Sequence, residues 1–188
     1  MMRFVTEGYH HVKKSNSRKY RYILALDPSG SFYEGKGTTG WCLFDTVKNK
    51  FINCGSLYAK DYDSMEAYWQ AVIDLIKQNF LNNTVIVCED YLLYANKLQN
   101  QINSRMETPK LIGCLQLFCY QYKLPYRMQT ASEVKTRWAN HILEHRGYIE
   151  LINKRGEYRP TSGKCETYSH HSLDAIRHAI HYAIFKNN

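Results

Sequence analysis

Three acidic residues stand where apolar segments would carry them into one reactive centre. Asp27 directly follows the apolar run 22–26, and Glu89 directly follows the β-branched run 85–88. If these runs are neighbouring strands, both carboxylates lie side by side, and a helix packed on the sheet would bring Asp174 and His171 to the same point. Clustered carboxylates repel unless one is protonated or a cation neutralises them, and hard oxygen ligands suit Mg²⁺ or Mn²⁺. Two such ions, about 3.5–4 Å apart, would support in-line hydrolysis of a phosphodiester.

The segment that carries Asp174 has the pattern of an amphipathic helix. Its aliphatic stripe follows the i, i+3, i+7, i+11 spacing of a buried face and consists of Leu173, Ile176, Ile180 and Ile184. A second stripe beside it consists of His171, Asp174, His178 and His181. Because an unpaired buried carboxylate is costly, Asp174 should have a partner or a metal. The segment alone also fits a plain helix N-terminus, capped by Ser169 or Ser172, with Asp174 near the positive end of the dipole.

The charge balance favours an anionic partner. The 188 residues include 25 Lys and Arg against 17 Asp and Glu, for a net charge of +8. Nucleic acid is the simplest partner for such a domain, and an inert basic surface is the alternative. The 16 Tyr residues, mixed with Lys and Arg, suit base stacking combined with phosphate contacts, although many of them will belong to the core.

Cysteine usage and hydropathy point to a reducing compartment. None of the 6 Cys forms a CxxC pair and most lie in apolar runs, which predicts buried free thiols instead of a zinc site or a disulfide framework. No apolar run is long enough to span a membrane, and the polar, basic residues 1–20 lack the apolar core of a secretory signal. We expect a cytoplasmic protein, bacterial or in an infected host cell.

The elements that must position the acids follow in a regular order. An antiparallel meander of three strands (22–26, 39–44 and 51–58) comes first. It is followed by a helix capped by Asp63, the strand 85–88 and a helix that begins at Pro109. The strand 125–128, one helix over 131–145 capped by Ser132, and the terminal helix complete the order. Residues 1–20 are expected to be a basic arm, and residues 146–168 a flexible basic loop. The prediction is an α/β domain over 21–188 with a mixed five-stranded sheet flanked by helices.

Four motifs, in order, resemble those of RuvC-type Holliday junction resolvases of the RNase H-like superfamily, closest to virus- or phage-encoded versions. They are LALDPSG with the later TGW, VIVCED, the segment KLIGCLQLFCYQYKLPYRMQTASEVK, and HHSLDAIRHAI. The resemblance covers roughly residues 22 to 185. It implies an RNase H-like fold and a homodimer with one active site per subunit. It also implies Mg²⁺-dependent paired nicking of a four-way DNA junction.

The resemblance also assigns catalytic roles residue by residue. Asp27, Glu89 and Asp174 match the family's acids on the first strand, after the fourth strand and on the C-terminal helix. His171 falls where members of the family have Asp or His, and would bind the second metal, activate water or protonate the leaving oxygen. The adjacent His170 is a rival for this role.

Further matches concern DNA and the partner subunit. Lys135 matches a lysine that contacts DNA near the scissile phosphate, and the helix around 109–122 matches the helix of the dimer interface. An aromatic wedge that enters the junction corresponds to one of Tyr91, Leu92 and Tyr94. Two basic residues, Lys36 and Arg105, are further candidates for DNA contact.

Two segments depart from the family pattern. The turn after Asp27 is Pro-Ser-Gly with an insertion through Lys36, and the loop 146–168 is longer than expected. The expected activity is that of a junction-resolving endonuclease, and within this activity relaxed cutting of other branched DNA stays open. The alternatives are an RNA-processing nuclease with the same fold and acids, and a non-catalytic nucleic-acid-binding dimer.

Overall fold

The computed structural model describes residues 18–33, 35–92, 105–153, 156–165 and 167–187. Most of the predicted basic arm and the candidate wedge residue Tyr94 therefore lie outside the described residues. None of the described helices combines an apolar span with the length that a bilayer requires.

Within the described residues, six strands form one mixed sheet: β1 (Tyr22–Asp27), β2 (Thr38–Asp45), β3 (Lys50–Tyr58), β4 (Thr84–Asp90), β5 (Tyr126–Thr130) and β8 (Lys164–Cys165). Their order across the sheet is β5-β4-β1-β2-β3-β8. The first three form the antiparallel meander, β4 runs parallel to β1, and β5 runs parallel to β4. The predicted mixed sheet is confirmed, and the two-residue β8 adds a sixth strand parallel to β3.

Helices cover both faces of this sheet. The helices are α1 (Met65–Asn79), α2 (Glu107–Gln121), α3 (Ala131–Lys135), α4 (Asn140–His145) and α5 (His170–Phe185). A short 3₁₀ turn spans Ala59–Asp61.

The central strands are apolar throughout because alternate side chains enter two different cores. On β1, Ile23 and Ala25 pack against α5, whereas Leu24 and Leu26 pack against α1 and α2. All four are completely buried. Side chains two residues apart share a face of a strand, so a strand covered on both faces shows no polar alternation. This packing explains why β1 and its neighbour β4 occupy the middle of the sheet.

Two predicted helix starts are wrong by one or two residues. The cap of α1 is Ser64, whose hydroxyl accepts the Ala67 N–H, and not Asp63. Helix α2 begins at Glu107, two residues before Pro109. Proline is tolerated there because the first turn of a helix has no internal acceptors for its N–H groups. Tertiary hydrogen bonds hold the added residues, since Glu107 accepts the Phe32 N–H at 2.7 Å.

The predicted continuous helix over 131–145 is also wrong. Thr130, and not Ser132, caps α3 by accepting the Glu133 N–H. The chain then leaves the helix and resumes as α4 at Asn140. In the break, the buried Trp138 packs into the core and its carbonyl accepts a hydrogen bond from Arg177 Nε at 2.9 Å. A carbonyl freed by the end of a helix requires such a partner, and this one comes from 39 residues farther along the chain.

The segment 146–168, predicted to be a flexible loop, contains regular structure. Strands β6 (Ile149–Leu151) and β7 (Tyr158–Pro160) form an antiparallel ribbon, and β8 then joins the main sheet. The pairing of β8 with β3 joins segments distant in sequence, and a local pattern of Gly, Pro and basic residues does not reveal it.

The six cysteines are free thiols, and Cys42, Cys54, Cys88 and Cys119 are buried. This agrees with the prediction from their spacing.

Candidate active site

Helix α5 begins at a close contact with the sheet. Ser169 caps the helix by accepting the Ser172 N–H, while the Ser172 hydroxyl bonds back to Ser169, which confirms one of the two predicted caps. The start of the helix lies directly over Gly40 of β2, where a Cβ atom would stand 2.0 Å from the backbone carbon of His171. Gly40 is the register partner of Asp27. The missing side chain at this position therefore allows the helix to approach the end of β1.

The three predicted acids meet at this contact. One carboxylate oxygen from each of Asp27, Glu89 and Asp174 lies within 4.8 Å of the others. Asp27 and Glu89 are neighbours because β1 and β4 run parallel, with Leu26 opposite Cys88. Asp174 reaches the same place from α5 and is 7% exposed, compared with 5% for Asp27.

The structure distinguishes His171 from its neighbour His170. His171 Nδ1 lies 2.7 Å from Asp27 Oδ2. The ring of His170 lies tilted against that of His171, with centroids 4.0 Å apart, and the residue as a whole is exposed. Partial burial of the ring, together with the neighbouring His171, lowers the pKa of His170. Of the two rings, it is His171 that contacts the acid cluster.

Asp174 is held by two cations and does not sit at the positive end of the helix dipole. It is the fifth residue of α5, beyond the first turn. Lys135 Nζ lies 2.8 Å from its Oδ2, and Arg177 donates to its Oδ1. Arg177 also bonds to the side chain of Asn140, so this guanidinium joins α5 to the first residue of α4.

Glu89 contacts a buried residue that sequence analysis placed on the helix stripe without giving it a role. His178 Nε2 lies 2.9 Å from Glu89 Oε2, and its Nδ1 lies 2.9 Å from Gln129 Oε1. The seven-residue spacing from His171 puts both histidines on one face of the helix, which is a usable signal. Gln129 and Arg177 lie within two of the quoted motifs, but sequence analysis assigned neither of them a role, and only their tertiary positions reveal one.

The three carboxylates of the acid cluster carry more negative charge than the neighbouring Lys135 and Arg177 neutralise. Burial raises the pKa of Asp27, and the charges of Glu89 and Asp174 add to this effect, against the hydrogen bond from His171. The pKa of Lys135 is raised: partial burial lowers it, but the hydrogen bond and charge of Asp174, with Glu89 and Asp27 nearby, outweigh that effect. Both shifts indicate a site that favours added positive charge.

The donor set fits a hard divalent cation. Three converging carboxylates supply oxygen ligands, and His171 stands beside them. Mg²⁺ and Mn²⁺ prefer such oxygen donors and retain coordination positions for water or phosphate oxygens. The arrangement can therefore hold a cation at the surface, next to a histidine and a lysine.

The described residues that were predicted to contact DNA lie on four different segments of the chain. Lys135 touches the acid cluster directly. Tyr91 and Leu92 follow the end of β4, two and three residues after Glu89, and Leu92 is 37% exposed. Arg105 lies two residues before the start of α2, with its guanidinium 4.5 Å from the ring of Tyr33. Lys36 belongs to the inserted segment before β2.

Among solved structures, the chain resembles T. thermophilus RuvC in complex with a Holliday junction substrate. The match has a TM-score of 0.56, covers 89% of this chain and 98% of that chain, and shows 13% sequence identity. The chain has the RNase H-like fold of RuvC. The acid cluster of this RuvC-like fold lies where the ends of β1 and β4 meet α5. No family model and no curated protein sequence matches the chain.

Proposed function

We propose that this protein is a metal-dependent endonuclease that resolves four-way DNA junctions by paired symmetric nicks. The observation that carries the proposal is the convergence of Asp27, Glu89 and Asp174 within 4.8 Å on a RuvC-like fold. The RuvC of T. thermophilus was solved with a Holliday junction substrate. The net charge of +8 supports a polyanionic substrate for this chain as well.

We assign Asp27, Glu89, Asp174 and His171 as the metal ligands. The cofactor would be Mg²⁺, with two ions per site, and Mn²⁺ would be able to substitute for it. When bound, the ions would supply a lowered pKa for water and charge stabilisation at the attacking and leaving oxygens. The carboxylates would hold the ions in place. Because Asp27 is buried, bulk water has little access to that side of the site.

His171 is suited to move a proton. Its Nδ1 is engaged by Asp27, which fixes the ring orientation and leaves Nε2 directed away from that carboxylate. When Nδ1 carries the hydrogen, Nε2 has the free lone pair and can accept a proton or bind a cation. A carboxylate that orients an imidazole in this manner also stabilises the protonated ring.

DNA would be held by basic and aromatic residues around the cluster. Lys135 would contact the phosphate next to the scissile bond, with Lys36 and Arg105 contacting the backbone farther away. Tyr91 and Leu92 are candidates for the wedge at the junction centre, together with Tyr94. Contacts from Lys and Arg to phosphates make binding strongly dependent on salt.

Replacing Lys135 should have opposite effects on Mn²⁺ binding and on junction cleavage. Because its ammonium lies 2.8 Å from Asp174 and 3.6 Å from Glu89, it opposes a second cation in the DNA-free protein. Lys135→Gln should tighten Mn²⁺ binding about fivefold, as expected for removing a charge at this distance in a partly solvated site. Junction cleavage at subsaturating DNA should nevertheless fall about tenfold, because a phosphate contact is lost.

The measurements for Lys135→Gln are a Mn²⁺ titration without DNA and initial cleavage rates. Lys186→Gln is the matched control, since Lys186 pairs with Glu133 at 3.1 Å, away from the three acids. It should change neither quantity. Weaker Mn²⁺ binding by Lys135→Gln would contradict the prediction.

We propose that α2 forms the homodimer interface. One side of the helix packs on the sheet through Leu111 and Leu115, whereas Leu117 is 57% exposed and Tyr120 is 83% exposed. A Cβ atom on Gly113 would meet nothing within 4 Å, so this face is open to close approach. An apolar and aromatic exposed face of this kind suits a second copy of the chain.

Leu117→Glu should weaken dimerisation by at least about 30-fold, as expected for the loss of a central apolar contact. Sedimentation equilibrium over a concentration series measures this change. Val47→Glu is the control, because Val47 is 69% exposed on the turn after β2. An equal effect of both variants, or a wild type that stays monomeric, would refute the assignment to α2.

The function is tested with purified protein on a labelled four-way junction, forked and flapped DNA, linear duplex and hairpin RNA, each with Mg²⁺ and with EDTA. Symmetric paired nicks in the junction that require Mg²⁺ would support the proposal. Equal cutting of forks and flaps would widen the substrate class to branched DNA. Cutting of RNA alone would indicate an RNA-processing nuclease, and binding without cutting would indicate a non-catalytic protein.

A further inference from the structure

Glu89 is contacted by a histidine that lies beneath the acid cluster. His178 is completely buried between α5 and the sheet. Glu89 and Gln129 are register partners on the parallel strands β4 and β5. One imidazole bridges the two, at 2.9 Å from each.

The chemistry of the three groups determines which ring nitrogen is the donor. An ionised carboxylate only accepts hydrogen bonds, so Nε2 of His178 must carry the hydrogen that faces Glu89. With that hydrogen on Nε2, Nδ1 of a neutral imidazole is an acceptor, so Gln129 must face it with its amide nitrogen, which a half-turn of the amide supplies. The half-turn also gives a partner to this buried nitrogen, which otherwise has none among the described residues.

We propose that His178 is a positioning residue that orients the Glu89 carboxylate for cation binding, with Gln129 holding the opposite side of the ring. This inference rests on the proposed metal-dependent function. Glu89 has one more rotatable bond than the two aspartates and its side chain is 17% exposed, compared with 7% for Asp27. Glu89 therefore loses more side-chain conformational entropy than the aspartates when it binds a cation. A hydrogen bond from the buried His178 restricts the rotamers of Glu89 beforehand and so removes part of this entropic cost of binding.

The same arrangement recurs at the other two acids, which strengthens the inference. Helix α5 supplies one donor to each carboxylate: His171 to Asp27, His178 to Glu89, and Arg177 to Asp174. Hydrogen-bonded partners of metal-ligating carboxylates set the ligand orientation, and their loss costs roughly 10–100-fold in metal affinity or activity. His178 is the member of this set with no exposed surface, so it cannot touch the substrate.

Two substitutions of His178 separate positioning from simple core packing. The amide nitrogen of Gln reaches approximately the place of Nε2, whereas the amide of Asn lies near Nδ1. His178→Gln therefore keeps the donor to Glu89, and His178→Asn keeps only the contact with Gln129. Both variants place a similar polar group in the same buried space.

The measurement is the Mn²⁺ affinity of the DNA-free protein, by electron paramagnetic resonance titration. We expect the Kd to rise about 10–100-fold in His178→Asn and less than about fivefold in His178→Gln. The matched control is His181→Gln. His181 is also buried on α5, but its Nε2 faces Glu133, at 3.3 Å, outside the three acids, so its Kd should stay at the wild-type value.

Several outcomes would overturn the inference. Wild-type Mn²⁺ affinity in His178→Asn would do so, and so would equal losses in the Asn and Gln variants. If His178→Asn shows no cooperative thermal unfolding, Gln129→Leu replaces it and should raise the Kd by about threefold or more; an unchanged Kd would then count against the inference. Failure of the proposed function looks different, because the wild-type protein itself would bind no Mn²⁺ and cut no substrate, and both proposals would fall together.

Discussion

Junction cleavage by the Asp27→Asn variant is expected to fall by more than about 100-fold, while binding to the same junction persists. Loss of a residue that only supports a ligand costs roughly 10–100-fold, and Asp27 would be a ligand itself. Asparagine has the same shape and can still accept the hydrogen bond from His171 Nδ1. The fold and the basic surface that meets phosphates should therefore remain. Single-turnover cleavage with Mg²⁺ and a gel-shift titration with Ca²⁺ measure the two quantities.

The stability of this variant should change in the opposite direction to its activity. Burial holds the pKa of Asp27 above its ordinary value of 3.8, so the folded protein binds a proton there more tightly than the unfolded chain. That contribution is present at low pH and is lost as pH rises from about 4 through the raised pKa. In EDTA, Asp27→Asn should therefore match the wild type near pH 4 and exceed its Tm at neutral pH. Added Mg²⁺ should raise the Tm of the wild type only.

Asp45→Asn is the matched control, because Asp45 is another buried acid at the end of a strand. Burial raises its pKa, but the N–H groups of Lys48 and Val47 and the side chain of Arg21 lower it overall. Its contribution to stability is thus present at neutral pH and lost as pH falls through the lowered pKa. Asp45→Asn should lower the Tm at pH 7 and leave cleavage unchanged below that Tm.

Full activity of Asp27→Asn in a preparation free of contaminating nuclease would remove Asp27 from the catalytic site.

Gly40→Ala should damage both stability and catalysis. The added Cβ would lie 2.0–2.3 Å from the backbone of His171 and Ser172, and the backbone cannot relieve that clash by a change of rotamer. Helix α5 must move away, which costs roughly 1–3 kcal/mol of unfolding free energy. A shift of about 1 Å also separates His171 and Asp174 from Asp27, and displacements of that size can cost about 100-fold in rate. Chemical denaturation, Mn²⁺ affinity and single-turnover cleavage are the measurements.

Gly30→Ala provides the comparison at a second contact between a helix and the sheet region. A Cβ at Gly30 would lie 2.3 Å from the carbonyl oxygen of Glu107, so a similar loss of stability is expected. The displaced element there is α2, which carries none of the three acids of the cluster. The Mn²⁺ affinity of the Gly30→Ala variant should therefore remain within about threefold of the wild type. A Gly40→Ala variant that keeps wild-type Mn²⁺ affinity would show that the contact does not position the site.

Much of the fold could be predicted because its strongest signals are local. The strands β1 and β4 are short apolar runs bounded by turns, and α5 has a helical stripe of aliphatic residues. An acid directly after each strand, with parallel pairing, leads to adjacent carboxylates. The boundaries were less accurate: Ser64 and Thr130 are the caps in place of Asp63 and Ser132, because several polar residues near a helix start are chemically able to cap it.

The acids of the candidate site, the mixed sheet and the helix that completes the cluster were all predictable from the amino-acid sequence. Which of His170 and His171 contacts the acid cluster was not, since that contact depends on how α5 is rotated over Gly40. The tertiary structure likewise revealed the contact between His178 and Gln129, because the register of β5 against β4 brings Gln129 beside Glu89. Periodicity specifies which residues share a face, whereas the partner across an interface depends on the packing of elements distant in sequence.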